Sequence, residues 1–272
     1  MAKYKKKRVR ELRHDRFRDT AMTLFERLGD RLEGKGRTIL YALAGIAVLT
    51  LITLLFLRWN HRKTEEAQRA FGRAISISTA PLASASSESL DEVQTPGPKF
   101  SSEAERAQKA VEEFQKVAAK YGEPYHSKAR YLAATHLLTV DRSKGISDLM
   151  ELSKSNNQEV GVLSKFALAQ AHEADGKYEE AATLYRELAA AERQIVTPET
   201  ANLRLAMVYI KQGKNKEASD LLFSIVEASR KAKGDDQEPI PPSGAASEAS
   251  RELQKLDPER FAQLPAATPS LG

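Results

Sequence analysis

Five histidines are the side chains in this 272-residue sequence best suited to hold a metal or move a proton, and two of them, His136 and His172, lie in matching surroundings. Imidazoles on neighbouring helices can share a zinc ion. Helical zinc sites, however, place two ligands four residues apart, as in HExxH, and no two histidines here have that spacing. The next equivalent position holds Tyr209, which reads as a packing site, and His14, His61 and His126 are isolated. There is no cysteine, so disulfides, thiolate metal sites and a cysteine nucleophile are excluded. Gly29, Gly34 and Gly36 do not have the spacing of a phosphate loop. No GxSxG turn and no carboxylate pair stands apart from ordinary solvated helix faces. The residues predict no enzyme, no cofactor and no metal site.

What recurs is helix packing. Ala110, Gly145, Ala181 and Ala218 follow one another at intervals of 35, 36 and 37 residues. The same intervals separate Phe114, Leu149, Tyr185 and Leu222, and again Val117, Leu152, Leu188 and Ile225. Upstream in each unit stand Leu132-Ala133, Leu168-Ala169 and Leu205-Ala206. A period of this length with helical spacing inside it predicts stacked helical hairpins. Small residues let paired helices approach, and large apolar ones fill the space between hairpins. Gly176 and Gly213 mark turns, because glycine takes the left-handed conformation that ends a helix. Thr197-Pro198 opens a helix with a cap and a first-turn proline, and Ser102 with Glu105 has the spacing of a capping box. Gly145 replaces the usual alanine, which predicts a hairpin packed differently from the others.

A second organising feature is the uncharged run TILYALAGIAVLTLITLLFL, residues 38–57. Twenty helical residues at about 1.5 Å each match the hydrocarbon core of a bilayer, so this run predicts a single transmembrane helix. Its length, its late start and the absence of a small-residue cleavage site argue for a retained anchor. Residues 1–37 hold thirteen Lys and Arg against six Asp and Glu, a charge of +7. The rest of the chain holds 29 against 31, so the net +5 resides in the tail. By the positive-inside rule the tail stays in the cytoplasm and the body crosses the membrane. Lys3 to Arg10 form a basic cluster suited to anionic lipid. Phe17, Ala21, Leu24, Phe25, Leu28 and Leu32 have the spacing of an amphipathic helix. Tyr41 and Trp59 are placed as interfacial anchors. The near-neutral body makes nucleic acid an unexpected partner.

The expected architecture is all-α, a single transmembrane helix followed by a TPR-like α-solenoid of helical hairpins. Its parts are a basic tail with an amphipathic helix at 1–37, the anchor at 38–57 and a TPR-like domain at 58–233. That domain carries a flexible Ser/Pro-rich insertion at 79–101, and a Pro-rich linker, a short capping helix and a disordered tail follow at 234–272. Leu168, Ala169, Gly176, Tyr178, Ala181, Tyr185 and Leu188 resemble the tetratricopeptide (TPR) pattern, and Leu205, Ala206, Tyr209, Gly213, Ala218 and Leu222 repeat most of it. The order of tail, anchor and array resembles the YfgM-like proteins, ancillary subunits of the bacterial SecYEG translocon, although the tail here is longer and more basic.

The resemblance implies a protein-binding scaffold in the bacterial inner membrane, its C-terminal domain periplasmic and its partners translocon or periplasmic chaperone proteins. A scaffold for another envelope assembly, in division or secretion, is the alternative. The resemblance also implies a partner groove along the first helix of each hairpin. By register that groove is lined by Arg130, Ala134, Leu137, Phe166, Gln170, Glu173, Leu203, Met207, Ile210 and Lys211.

Overall fold

The computed structural model describes residues 36–83, 98–191, 195–234 and 238–266, with the side chains of 36–40, 56–57 and 59–62 left out. The basic cluster and the amphipathic helix therefore lie outside the described residues, as does the side chain of Trp59. Among the described residues every named element is a helix: α1 (Gly36–Ser78), α2 (Glu103–Lys120), α3 (Tyr125–Val140), α4 (Arg142–Leu152), α5 (Gln158–Ala174), α6 (Tyr178–Ala190), α7 (Pro198–Lys211), α8 (Asn215–Lys231), α9 (Gly244–Leu256) and α10 (Pro258–Phe261). The chain divides into two compact units, Met1–Thr64 and Glu65–Gly272.

In the first unit the described structure is the leading part of α1. Its side chains from 41 to 55 are all exposed, with Tyr41 at 73% and Leu49 at 65%. The hydroxyls of Thr50 and Thr53 donate to carbonyls one turn back on the same helix, Ala47 and Leu49, each at 2.8 Å. Both ends of the 38–57 run have side chains outside the described set. Among the described residues no helix is long and apolar enough to cross a membrane.

The second unit is a stack of hairpins: the end of α1 with α2, α3 with α4, α5 with α6, and α7 with α8. The three repeating registers form its core. Ala110, Ala181 and Ala218 are 0% exposed, as are Phe114, Leu149, Tyr185 and Leu222, and Val117, Leu152, Leu188 and Ile225 are all buried. Burying a large side chain of this kind contributes about 1.5–3 kcal/mol, so a period of similar residues is enough to set the stacking. Helix ends follow the local sequence. Asn157 accepts from Val160 N at 3.2 Å, Thr197 from Thr200 N at 3.2 Å and Ser243 from Ala246 N at 3.0 Å.

The α5–α6 and α7–α8 turns are copies of one another. Gly176 and Gly213 take φ of 72° and 75°, and Lys177 and Lys214 donate five residues back to His172 and Tyr209 at 2.9 Å each. The α3–α4 turn is tighter. Asp141 alone joins the helices, donating its N–H to Leu137 O at 2.8 Å and capping Lys144 N at 3.1 Å. Gly145 then lies directly against the backbone of α3, which accounts for the expected difference in this hairpin.

Three expectations change. The ends of the 79–101 insertion are built into the fold: Phe100 is 7% exposed, Leu82 and Phe100 pair as a parallel bridge, and Arg106 donates to Ala80 O at 3.0 Å. Residues 84–97 lie outside the description. The glutamate of the capping box reaches one residue further than expected, accepting from Ser101 N at 2.9 Å and Ser101 Oγ at 2.6 Å, while Ser102 caps Glu105 N at 3.2 Å. The segment after α9, expected to be disordered, forms α10 and continues against α8. Asp257 accepts from Ser219 Oγ at 2.8 Å, Arg260 pairs with Asp220 and lies 5.1 Å over the Phe223 ring, and Leu264 is buried.

Candidate protein-binding surface

The expected groove positions fall into three groups. Leu203 is 2% exposed, packed with Leu222, Ala246 and Leu253, and Met207 and Ile210 lean on the same cluster. Helix α9 supplies two of those partners, so the cap covers the apolar end of the groove. Leu203 does not line an open surface. Ala134 and Leu137 are likewise covered, because the tight α3–α4 hairpin leaves them in the core. Phe166 packs edge-on against Tyr185 with ring centroids 5.8 Å apart.

The polar members are bonded between helices. Glu173 accepts from Lys211 Nζ at 2.8 Å and from the Tyr185 hydroxyl at 3.1 Å, which ties three helices together. Burial, and then the Glu173 carboxylate beside it, pushes the Tyr185 phenol above the usual tyrosine range. Arg130 donates to Glu151 at 2.9 Å, and that hydrogen bond holds the Glu151 carboxyl below its ordinary value. Gln170 stands exposed. The structure brings Glu173 and Lys211 together and gathers Leu203, Met207 and Ile210, but it does not assemble the ten positions into one open groove.

The two histidines at equivalent positions have different neighbours. His136 stacks on Phe114 with ring centroids 6.0 Å apart, and burial, then the nearby Arg106, lowers its pKa. His172 is 8% exposed, and its Nδ1 has no hydrogen-bond partner. Among the described residues no group of three His, Asp or Glu side chains is arranged to hold a metal.

Among the described residues the second unit carries at least two recesses. The first, about 540 Å³, lies where α6, α7 and α8 meet. Leu205, Tyr209 and Leu221 form its floor, Ala189 and Ala190 one wall, and Arg186, Asn202, Glu217 and Asp220 its polar rim. The second, about 490 Å³, lies between the start of α3 and the α4–α5 turn. Its polar groups already serve one another: the buried Ser127 donates to Glu123 at 2.6 Å and accepts from Asn157 Nδ2 at 3.1 Å. That recess is an internal brace. The first has an apolar floor and a charged rim, the composition that receives a side chain of a protein partner.

The hairpins stack with alanine at three crossings, Ala110, Ala181 and Ala218, and glycine at the fourth, Gly145, and twin glycine turns close the last two hairpins. Residues 172–234 match the family model of the tetratricopeptide repeat. The chain is therefore TPR-containing, and the matched stretch runs from the last turn of α5 through α8, taking in every residue that lines the first recess. No curated protein and no solved structure matches the chain. TPR hairpins point to protein–protein interaction. The register rule for the partner groove passed over Arg186, Ala189, Asn202 and Leu221, because it considers only one face of the first helix. The available signal was the run Ala189-Ala190-Ala191, of which Ala189 and Ala190 line the recess.

Proposed function

We propose that this chain is a membrane-tethered scaffold that binds other proteins through its TPR hairpins. Its partners are envelope proteins at the translocon or periplasmic chaperones, as the YfgM-like order of parts implies. The observation that carries the reading is the stack of TPR hairpins with an open, apolar-floored recess between α6, α7 and α8. The tether is supported by the exposure of every side chain from 41 to 55. A helix apolar on all sides needs an apolar medium around it. Thr50 and Thr53 already spend their hydroxyl protons within the helix, which is how such groups are satisfied in lipid. The +7 charge of residues 1–37 supports a cytoplasmic tail. Holding the recess near the membrane raises its effective concentration toward other membrane-bound chains.

A photoreactive residue at Asn202, on the rim of the recess, tests the binding reading in intact membranes. Crosslinks to translocon or chaperone subunits are the expected result, and crosslinks to neither refute that choice of partner. Protease added to sealed spheroplasts should digest the C-terminal unit, and protection of that unit would overturn the periplasmic placement.

A further inference from the structure

Between α8 and α9 the chain runs Glu238-Pro239-Ile240-Pro241-Pro242-Ser243, and residues 238–243 are all exposed. Proline fixes its own φ near −65° and drives the preceding residue to extended backbone, so three prolines in four positions favour an extended arm of polyproline II type after the bridge at Pro239. The arm is held at both ends. On one side Lys233 and Pro239 pair as an antiparallel bridge, with Gly234 N donating to Glu238 O at 2.8 Å and Ile240 N to Ala232 O at 3.2 Å. On the other side Ser243 caps α9, whose Ala246 and Leu253 are buried in the core. The N–H of Ile240 is used in that bridge, and prolines have none. Pro239–Pro242 therefore keeps no spare backbone donor and offers a partner carbonyl oxygens and apolar rings. With three residues per turn, Pro239 and Pro242 share one edge of the arm. Ile240 between them is 49% exposed.

We propose that Pro239–Pro242 is a docking element for a protein with an aromatic-lined groove, whose Trp or Tyr side chains stack on the proline rings and donate to the arm's carbonyls. The chemistry selects this partner. An edge strand would need N–H donors from the arm, and a helix groove would need a helix, whereas a PxxP edge of acceptors and rings fits aromatic side chains carrying a polar tip. Anchoring at both ends orders the arm before binding, which lowers the entropic cost of capture. The arm is a different surface from the recess between α6, α7 and α8 and binds independently of it.

The test places p-benzoylphenylalanine at Ile240 in the full-length chain, in its native membranes. The expected result is a crosslinked protein whose attachment site, mapped by mass spectrometry, lies in a groove lined by Trp, Tyr or Phe. The yield should fall at least about tenfold in the Pro239→Ala/Pro242→Ala double variant, and fall again when a synthetic peptide of residues 238–243 is added in excess. Both prolines are exposed and outside helices, so an unchanged thermal unfolding midpoint shows that the variant still folds. No crosslink, a crosslink insensitive to the proline substitutions, or attachment to a surface without aromatic side chains would each overturn the proposal.

Discussion

Gly145→Ala isolates the feature that sets the α3–α4 hairpin apart from its neighbours. A Cβ at Gly145 would stand 2.8 Å from Leu138 N, 3.0 Å from Ala134 O and 3.0 Å from Leu137 C. Ordinary contacts for such atoms lie near 3.5–4.0 Å, so α4 would have to move away from α3 by several tenths of an ångström. All three atoms are backbone, and no side chain can rotate aside to relieve them. Overpacking of this kind costs about 1–3 kcal/mol, and the rigid backbone places it in the upper part of that range. Alanine returns about 1 kcal/mol of helix propensity, which leaves a net loss of about 1–2 kcal/mol. Gly72→Ala is the matching control, since that glycine is exposed, lies within α1 and has nothing within 4 Å of its would-be Cβ. It keeps the propensity gain alone and should stabilise by about 0.5–1 kcal/mol. Urea unfolding of the purified chain, followed by far-UV circular dichroism, should place the two midpoints on opposite sides of wild type. A Gly145→Ala midpoint at or above wild type would refute the close-approach account.

His136 makes stability depend on pH. Its folded-state pKa lies below the ordinary value, so as pH falls the unfolded chain takes up the proton first. The His136 contribution should be complete above pH of about 6.5 and decline as pH falls through that value toward the folded pKa. Urea midpoints across that window should fall less steeply in His136→Phe, and equal slopes would refute the assignment. Tyr185→Phe removes the hydroxyl donated to Glu173 and should cost about 1 kcal/mol. It should also abolish a late-titrating phenol in an alkaline spectrophotometric titration, and an unchanged titration curve would contradict the buried position. Leu253→Ala empties a site that is 0% exposed beneath the cap and should cost about 2–5 kcal/mol. Limited proteolysis should then cut first between α8 and α9, and resistance equal to wild type would show that the cap does not depend on this side chain.

The repeats were legible because their signal is local and redundant. Three registers carry the same interval, and each position asks only for a small or a large apolar side chain. The helix starts at Ser102 and Thr197 and the stops at Gly176 and Gly213 were legible for the same reason, since a cap or a left-handed turn is decided within a few residues. The partner groove was not legible. Register places Leu203 on the face of α7 that a partner would use. The sequence pattern of α7 carries no sign that α9, more than forty residues later, folds back to supply Ala246 and Leu253 against it. Nor does the spacing of Glu173 and Lys211, 38 residues apart, distinguish two free charges on a groove from one inter-repeat ion pair. The segment around Arg260 and Leu264 reads as disordered from its sequence because Pro258, Pro265 and Pro269 interrupt any long helix. Its order comes from tertiary partners, Ser219, Asp220 and Phe223, that composition does not reveal.

These misplacements share a physical cause. A stacked array must cover the apolar face of each hairpin, and large side chains such as Phe166 and Leu203 are the first to be taken up because their exposure is the most costly. Charged residues on the same face then find each other across the hairpins, as Glu173 and Lys211 do. The face richest in large apolar residues is thus the face that the array itself fills. Open apolar surface persists where side chains are too small to reach the next hairpin. One such place among the described residues is the wall of Ala189 and Ala190, beside which Leu205, Tyr209 and Leu221 line a recess. Filling the wall should separate binding from folding. Ala190→Leu places a bulky side chain at an exposed position in the last turn of α6, outside the core, and should leave the unfolding midpoint close to wild type while abolishing partner crosslinks from Asn202. Retention of those crosslinks would mean that the partner uses another surface.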